Sequence, residues 1–207
     1  MFSDQELAVM DSIIKRYPRS RSAIMPLLHY VQSKAGYVTN EGIELIAQLL
    51  TIETAEVSAV ATFYTQYKRK PVGEYHVGVC TNTLCAVMGG DAIFAGLKEH
   101  LGIENDGVTD DGKVSLEHIE CNAACDYAPV VMANWEFYDN QTVQSSKDLV
   151  DAMRNGNPPA PTRGPKSLPT WKENSAVLAG INDGRANEGV QAGEPTLLGL
   201  KLSKEGK

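Results

Sequence analysis

Four cysteines set in two close pairs constrain this chain more than any other feature. Cys80 and Cys85 stand as C-x4-C, and after 35 intervening residues Cys121 and Cys125 stand as C-x3-C. Each pair follows a run with strand character. Tyr75, Val77 and Val79 alternate with His76 and Gly78 before Cys80, and Val114, Leu116 and Ile119 precede Cys121. Alternation of this kind marks a half-buried strand. Both pairs are therefore expected on loops at corresponding strand ends, where two neighbouring loops would bring four thiolates together.

A cluster of two irons takes two thiolates on each iron, and the wide internal gaps suit its spread of ligands. Zinc held by four cysteines is the main alternative, but zinc pairs usually sit on C-x2-C knuckles. Thiol redox chemistry comes third, because C-x-x-C would be expected there. Histidine ligands of the Rieske kind need C-x-H, and none of His29, His76, His100 or His118 lies that way. Those histidines read as surface or strand residues. The spacing thus favours a 2Fe-2S centre on Cys80, Cys85, Cys121 and Cys125, with zinc left open.

The cysteines also bear on compartment, since paired thiols in a reducing cytoplasm read as metal or redox chemistry and not as a disulfide framework. The N-terminus Met1-Phe2-Ser3-Asp4-Gln5-Glu6 has no basic and apolar export signal. The longest apolar stretch, Ile43 to Ile52, includes Glu44 and Gln48 and falls well short of the about 20 residues that span a bilayer. A formal charge of -7 argues against nucleic acid, which needs a concentrated basic surface. Lys68-Arg69-Lys70 is the nearest candidate for one.

Residues 1–71 read as a helical bundle. Ser3 and Glu6 have capping-box spacing before Leu7, Met10, Ile13 and Ile14, and Pro18 stops that helix after Tyr17. Ser22 opens a second helix with Pro26 in its first turn, closed by Gly36. Glu41–Leu50 and a segment capped by Thr54 and running to about Tyr67 complete the bundle. Residues 72–156 read as a compact domain with a mixed sheet: a strand to Cys80, a helix opening at Gly89-Gly90, a strand to Cys121, a hairpin from Pro129 to Tyr138, and a last helix after Ser145-Ser146. From residue 157 the composition turns rich in proline, then in glycine, asparagine and glutamate, which predicts an extended tail over 157–207, disordered or lying on a partner.

The surroundings of the cysteines carry opposing electrostatic effects. Glu120 and Asp126 flank the second pair and would disfavour added negative charge, whereas backbone N–H groups from Leu84 to Gly90 would favour it. Asn122-Ala123-Ala124 are small, so the backbone can approach the sulfurs closely. Phe63, Tyr64 and Tyr67 are the aromatic candidates for partner contact, with core packing the expectation for Phe63.

These residues resemble the thioredoxin-like 2Fe-2S subunit of the NADH-oxidising module of respiratory complex I, the bacterial NADH:quinone oxidoreductase. The likeness runs through Val60-Ala61-Thr62-Phe63-Tyr64-Thr65, Val79-Cys80 to Cys85, Asp111-Gly112, and Glu120-Cys121 to Cys125 with Ala128-Pro129, and spans roughly residues 5–156. The family often has C-x-G-A-C where this sequence carries Ala123 in the glycine position. The resemblance implies an α+β fold: a helical bundle followed by a thioredoxin-like ferredoxin domain with one 2Fe-2S cluster. It further implies FMN and NADH on a partner subunit, an adjacent multi-cluster iron-sulfur subunit, and a cytoplasmic position on the inner face of the membrane, held through the complex without insertion. Electrons would pass singly between the cluster and the partner's flavin, either on the main route or into a side store. The equivalent polypeptide of an NAD-linked hydrogenase or formate dehydrogenase is the alternative within the family. A zinc-stabilised docking module is the alternative outside it. No G-x-G-x-x-G or P-loop is present, so NADH is not expected on this chain.

Overall fold

The computed structural model describes residues 2–190 and 192–206. The first residue of the acidic N-terminus and two positions of the expected tail, 191 and 207, lie outside them. The chain divides into two compact units, Met1–Val72 with Thr170–Asp183 and Gly73–Pro169 with Gly184–Lys207.

The first unit is helical. Helix α1 (Asp4–Ile14) starts on Ser3, whose hydroxyl accepts from the Glu6 N–H while Glu6 reaches back to the Ser3 N–H, as the capping-box spacing predicts. A 3-10 turn over Ser20–Ala23 leads into α2 (Ile24–Ala35), and Pro26 sits in its first turn. Gly36 ends α2 at φ +87°, a left-handed conformation that glycine adopts without steric cost. Helix α3 (Asn40–Leu50) is capped by Thr39 and α4 (Thr54–Phe63) follows. Helix α4 stops four residues before the expected end at Tyr67, because Tyr64 turns to extended backbone, and its cap is Glu53 in place of Thr54. The core gathers Met10, Ile13, Leu27, Leu28, Val31, Ile46 and Val57.

Residues 157–207 are not extended throughout. Helix α8 (Trp171–Leu178) lies against α2 within the first unit. Trp171 is 2% exposed and its Nε1 donates to the Gly36 carbonyl at 2.7 Å. Buried Gln32 holds the helices together through polar contacts, its Nε2 donating to Ser175 Oγ at 3.3 Å and to the Gln66 carbonyl at 3.1 Å while its Oε1 accepts from the Lys68 N–H at 2.9 Å. Mean composition hid these anchors. One buried tryptophan contributes about 2 to 3 kcal/mol of apolar burial, which a window average dilutes.

The second unit is built on a five-stranded sheet in the order β2-β3-β1-β4-β5. Its strands are β1 (Tyr75–Cys80), β2 (Gly107–Val108), β3 (Val114–Ile119), β4 (Val131–Ala133) and β5 (Glu136–Tyr138). The sheet is mixed, as expected. Strand β1 pairs parallel with β3 and antiparallel with β4, and β4 and β5 form the expected hairpin. Three further helices are α5 (Thr83–Val87), α6 (Gly90–Leu101) and α7 (Val143–Arg154), and α9 (Glu194–Lys204) follows near the C-terminus. Helices α6 and α7 pack on each other, and Ile93, Leu97, Val150 and Met153 bury against Val77, Val79 and Leu116. A separate small cluster forms around the cysteines: Cys80, Cys85, Ile119, Ala124, Ala128, Val130 and Met132, with Trp135 and Phe137 against it.

Candidate metal centre

Parallel pairing of β1 with β3 puts Cys80 opposite Ile119, so both strands deliver their C-terminal ends to one edge of the sheet. Cys80 is the last residue of β1, and its N–H donates to the Val130 carbonyl at 3.1 Å. Cys121 lies two residues beyond the end of β3. The expected loop placement holds for Cys121 but not for the other three. Cys80 belongs to its strand, Cys85 lies on the short helix α5, and Cys125 opens a 3-10 turn over Cys125–Tyr127. A helical turn returns the backbone toward the strand end within five residues, which a C-x4-C interval permits and an extended loop would not.

All four are free thiols, Cys80 and Cys85 buried and Cys121 and Cys125 exposed. The Sγ atoms of Cys121 and Cys125 are 3.6 Å apart. Burial pushes the Cys80 thiol up to about 11, Cys85 and Cys121 add to the rise, and the Asn82 backbone N–H opposes it. The Cys125 thiol is also raised, first by Cys121, then by burial, Cys80 and Asp126. Cys80 and Cys125 each therefore feel a thiol of the other pair, which disfavours negative charge on these two sulfurs. Metal binding to thiols requires their thiolate form, so bound cations would offset that cost. Among the described residues no three or more His, Cys, Asp or Glu side chains are placed to hold a single metal ion; the thiols are grouped by twos. The donor set fits a group with two metal atoms.

The backbone is shaped around these sulfurs. The Ala123 N–H donates to Cys121 Sγ at 3.3 Å. Ala123 does so at φ +55°, in the left-handed region that glycine adopts without steric cost. Gly90 opens α6 directly against the first pair: an added Cβ would stand 2.4 Å from the Cys80 carbonyl oxygen and 2.9 Å from that of Cys85. Asn82 joins the two halves of the site, its amide donating to Glu120 Oε2 at 2.9 Å. Sequence reasoning placed Glu120 beside the site but missed Asn82, which no spacing rule singles out.

Three apolar side chains of α5 and its C-cap, Leu84, Val87 and Met88, are exposed next to buried Cys85. In the helical unit Phe63 is 78% exposed, against the core position expected for it, because α4 ends on that residue and its ring projects past the packed face to meet Tyr64 edge-on at 4.9 Å. Tyr67 is buried and its ring lies 4.7 Å from that of His29 at a tilt of 51°, and His29 is itself buried in α2 and not at the surface or in a strand. His76 is a strand residue as expected, with Nδ1 2.9 Å from Ser115 Oγ and Nε2 2.8 Å from Glu117 Oε2. No described helix is long and apolar enough to cross a membrane.

The model of the thioredoxin-like [2Fe-2S] ferredoxin family matches residues 10–154. The NADH-quinone oxidoreductase E subunit of Mycobacterium tuberculosis is 59% identical over 194 residues, covering 93% of this chain and 77% of that protein. Its counterpart of the same name in Rickettsia bellii is 41% identical over 157 residues, covering 74% of this chain and 94% of its own. Among solved structures, the NAD+-reducing [NiFe]-hydrogenase in its air-oxidised state has the same fold over 65% of this chain, with a TM-score of 0.57 at 18% identity. That match spans 23% of the hydrogenase polypeptide.

Proposed function

The chain belongs to the thioredoxin-like [2Fe-2S] ferredoxin family, and we propose that it is the electron-transfer subunit of an NADH:quinone oxidoreductase, holding one 2Fe-2S cluster on Cys80, Cys85, Cys121 and Cys125. The observation that supports this reading is the presence of two pairs of free thiols at one end of the β1–β3 pair, with the Cys121 and Cys125 sulfurs 3.6 Å apart and Cys80 and Cys125 each feeling a thiol of the other pair. Identity of 59% to a named subunit of such an enzyme supplies the context.

When bound, a 2Fe-2S cluster supplies one-electron chemistry without proton transfer at its sulfurs. The protein supplies the rest. Cys80 and Cys85 hold one side of the site from buried positions, while Cys121 and Cys125 hold the exposed side. The N–H groups of Asn82 and Ala123 point at ligand sulfurs and stabilise negative charge there. The exposed Leu84, Val87 and Met88 give an apolar approach beside Cys85. FMN and NADH reside on a partner subunit, an adjacent multi-cluster iron-sulfur subunit completes the module, and the chain reaches the inner face of the membrane through that complex.

Anaerobically purified protein should contain two irons and two acid-labile sulfides per molecule and give a rhombic paramagnetic signal after dithionite reduction. Cys121→Ser should lose most of both. One zinc per molecule without sulfide overturns the redox reading and leaves a docking module.

A further inference from the structure

Residues 185–190 run as a strap along residues 164–167, which follow α7, and Gly193 and Thr196 beyond them meet the second cysteine loop. Arg185 Nη1 donates to the Ser167 carbonyl at 3.4 Å, the Lys166 N–H donates to Glu188 Oε2 at 3.1 Å, and the Gly164 N–H donates to the Val190 carbonyl at 2.9 Å. The strap then meets the loop itself. Gly193 lies so close to Tyr127 that an added Cβ would fall 1.5 Å from the phenol oxygen and 2.4 Å from Cζ. Three residues on, Thr196 Oγ1 donates to Asp126 Oδ2 at 2.7 Å. Tyr127 is restrained from elsewhere too: the Arg163 guanidinium stands 5.3 Å from its ring centroid, and its carbonyl accepts from the Asn140 N–H at 2.9 Å. Arg163 is itself fixed by Asp139 at 2.9 Å.

We propose that this strap is a positioning element for the exposed half of the metal centre: through Gly193 on Tyr127 and Thr196 on Asp126 it fixes the turn that carries Cys125 and keeps water from opening it. The proposal rests on the reading of Cys125 as a cluster ligand. Its physical logic is local. Cys121 and Cys125 lie on an exposed turn in which Ala123 holds an unfavourable left-handed conformation, tied locally by the Ala123 N–H on Cys121 Sγ at 3.3 Å and the Tyr127 N–H on the Ala124 carbonyl at 3.0 Å. Two contacts from a distant part of the sequence add to these short-range restraints. A side chain at position 193 would have to push the Tyr127 ring out of its place, so a bulky residue there disturbs the contact. The strap lies beyond the residues matched by the family model, so it is an addition to the shared core.

The test uses the full-length protein with its cluster, compared with Gly193→Val, Thr196→Val and Thr196→Ser. Hydrogen–deuterium exchange over residues 121–128 is read against β3, and cluster decay in air is followed by visible absorbance. Loss of a hydrogen bond to a carboxylate corresponds to about a tenfold change in opening. The valine variants are therefore expected to exchange the loop about tenfold faster with β3 unchanged and to lose the cluster faster, while Thr196→Ser behaves as the parent. Unchanged exchange and decay in both valine variants overturns the proposal, as does a serine variant as labile as the valine one. A parent protein without iron and sulfide would sink the cluster reading alone, and the exchange comparison would still decide whether the strap holds the loop.

Discussion

The Asn82 side-chain amide donates to the Glu120 carboxylate at 2.9 Å, and this one contact ties the turn leading to Cys85 to the residue preceding Cys121. Asn82 also turns its backbone N–H toward the Cys80 sulfur. A single residue thereby serves both halves of the site. Asn82→Ala should lower stability by about 1 kcal/mol and shorten cluster lifetime, because the carboxylate loses its partner. Glu120→Gln should retain both, since an amide oxygen accepts the same bond. Urea midpoints and cluster retention on desalting check the pair, and equal loss in both variants would argue that charge matters there and not the bond.

Gly90 has no room for a side chain. The obstacles to a Cβ are the backbone carbonyls of Cys80 and Cys85, which cannot swing aside as a flexible side chain would. Gly90→Ala should cost about 2 to 3 kcal/mol and displace the start of α6 from the first cysteine pair. Thermal unfolding, together with iron content of the folded fraction, measures it. Retention of parental stability and iron would mean that α6 starts elsewhere.

Ala123 makes the opposite case. At φ +55° it carries the steric cost of a left-handed alanine, offset by the hydrogen bond its N–H gives to Cys121 Sγ. Ala123→Gly should relieve about 1 kcal/mol of that cost, less the greater freedom of glycine in the unfolded state, and raise the melting temperature by about 2 °C. A lower melting temperature would show that the unfolded-state effect prevails.

His29 sets a pH dependence in the helical unit. It is buried, its Nδ1 has no hydrogen-bond partner, and burial lowers its pKa to about 4 from 6.5. Between those values the unfolded protein binds a proton that the folded protein does not. Above pH 6.5 His29 has no effect; as pH falls toward 4 it progressively destabilises the fold, and below 4 the effect levels off at roughly 3 kcal/mol. Denaturant midpoints at about pH 7.5 and about pH 4.5, on either side of most of that window, should differ by less in His29→Phe than in the parent. Equal differences would assign the acid sensitivity to other groups.

Phe63 separates docking from folding. Because it is 78% exposed, Phe63→Ala should leave the melting temperature within about 1 °C of the parent, as surface substitutions do. An exposed aromatic that anchors an interface contributes much more to binding than to stability. The same variant is expected to weaken association with a co-expressed flavin subunit by about tenfold, read by size-exclusion and titration. A large drop in melting temperature would return Phe63 to the core.

Periodicity and punctuation determined the elements that a short window can hold. The Ser3–Glu6 cap, the Gly36 stop and the alternation into Cys80 all rest on interactions within a few residues, so they were legible and they stand. The cysteine spacing pointed to two thiol pairs near the ends of β1 and β3. What it lacked was the local turn that delivers each one: α5 and the turn at Cys125 are five and three residues long, below the length at which periodicity is visible. Phe63 was misplaced because its burial depends on where α4 ends, which is a matter of packing and not of propensity. The tail shows the limit most clearly. Trp171 on Gly36, Gly193 on Tyr127 and Thr196 on Asp126 join residues 66 to 135 positions apart. Sequence determined which side chains could make a metal centre; only the tertiary structure decided what holds it, because contacts across such separations leave no local pattern in the chain.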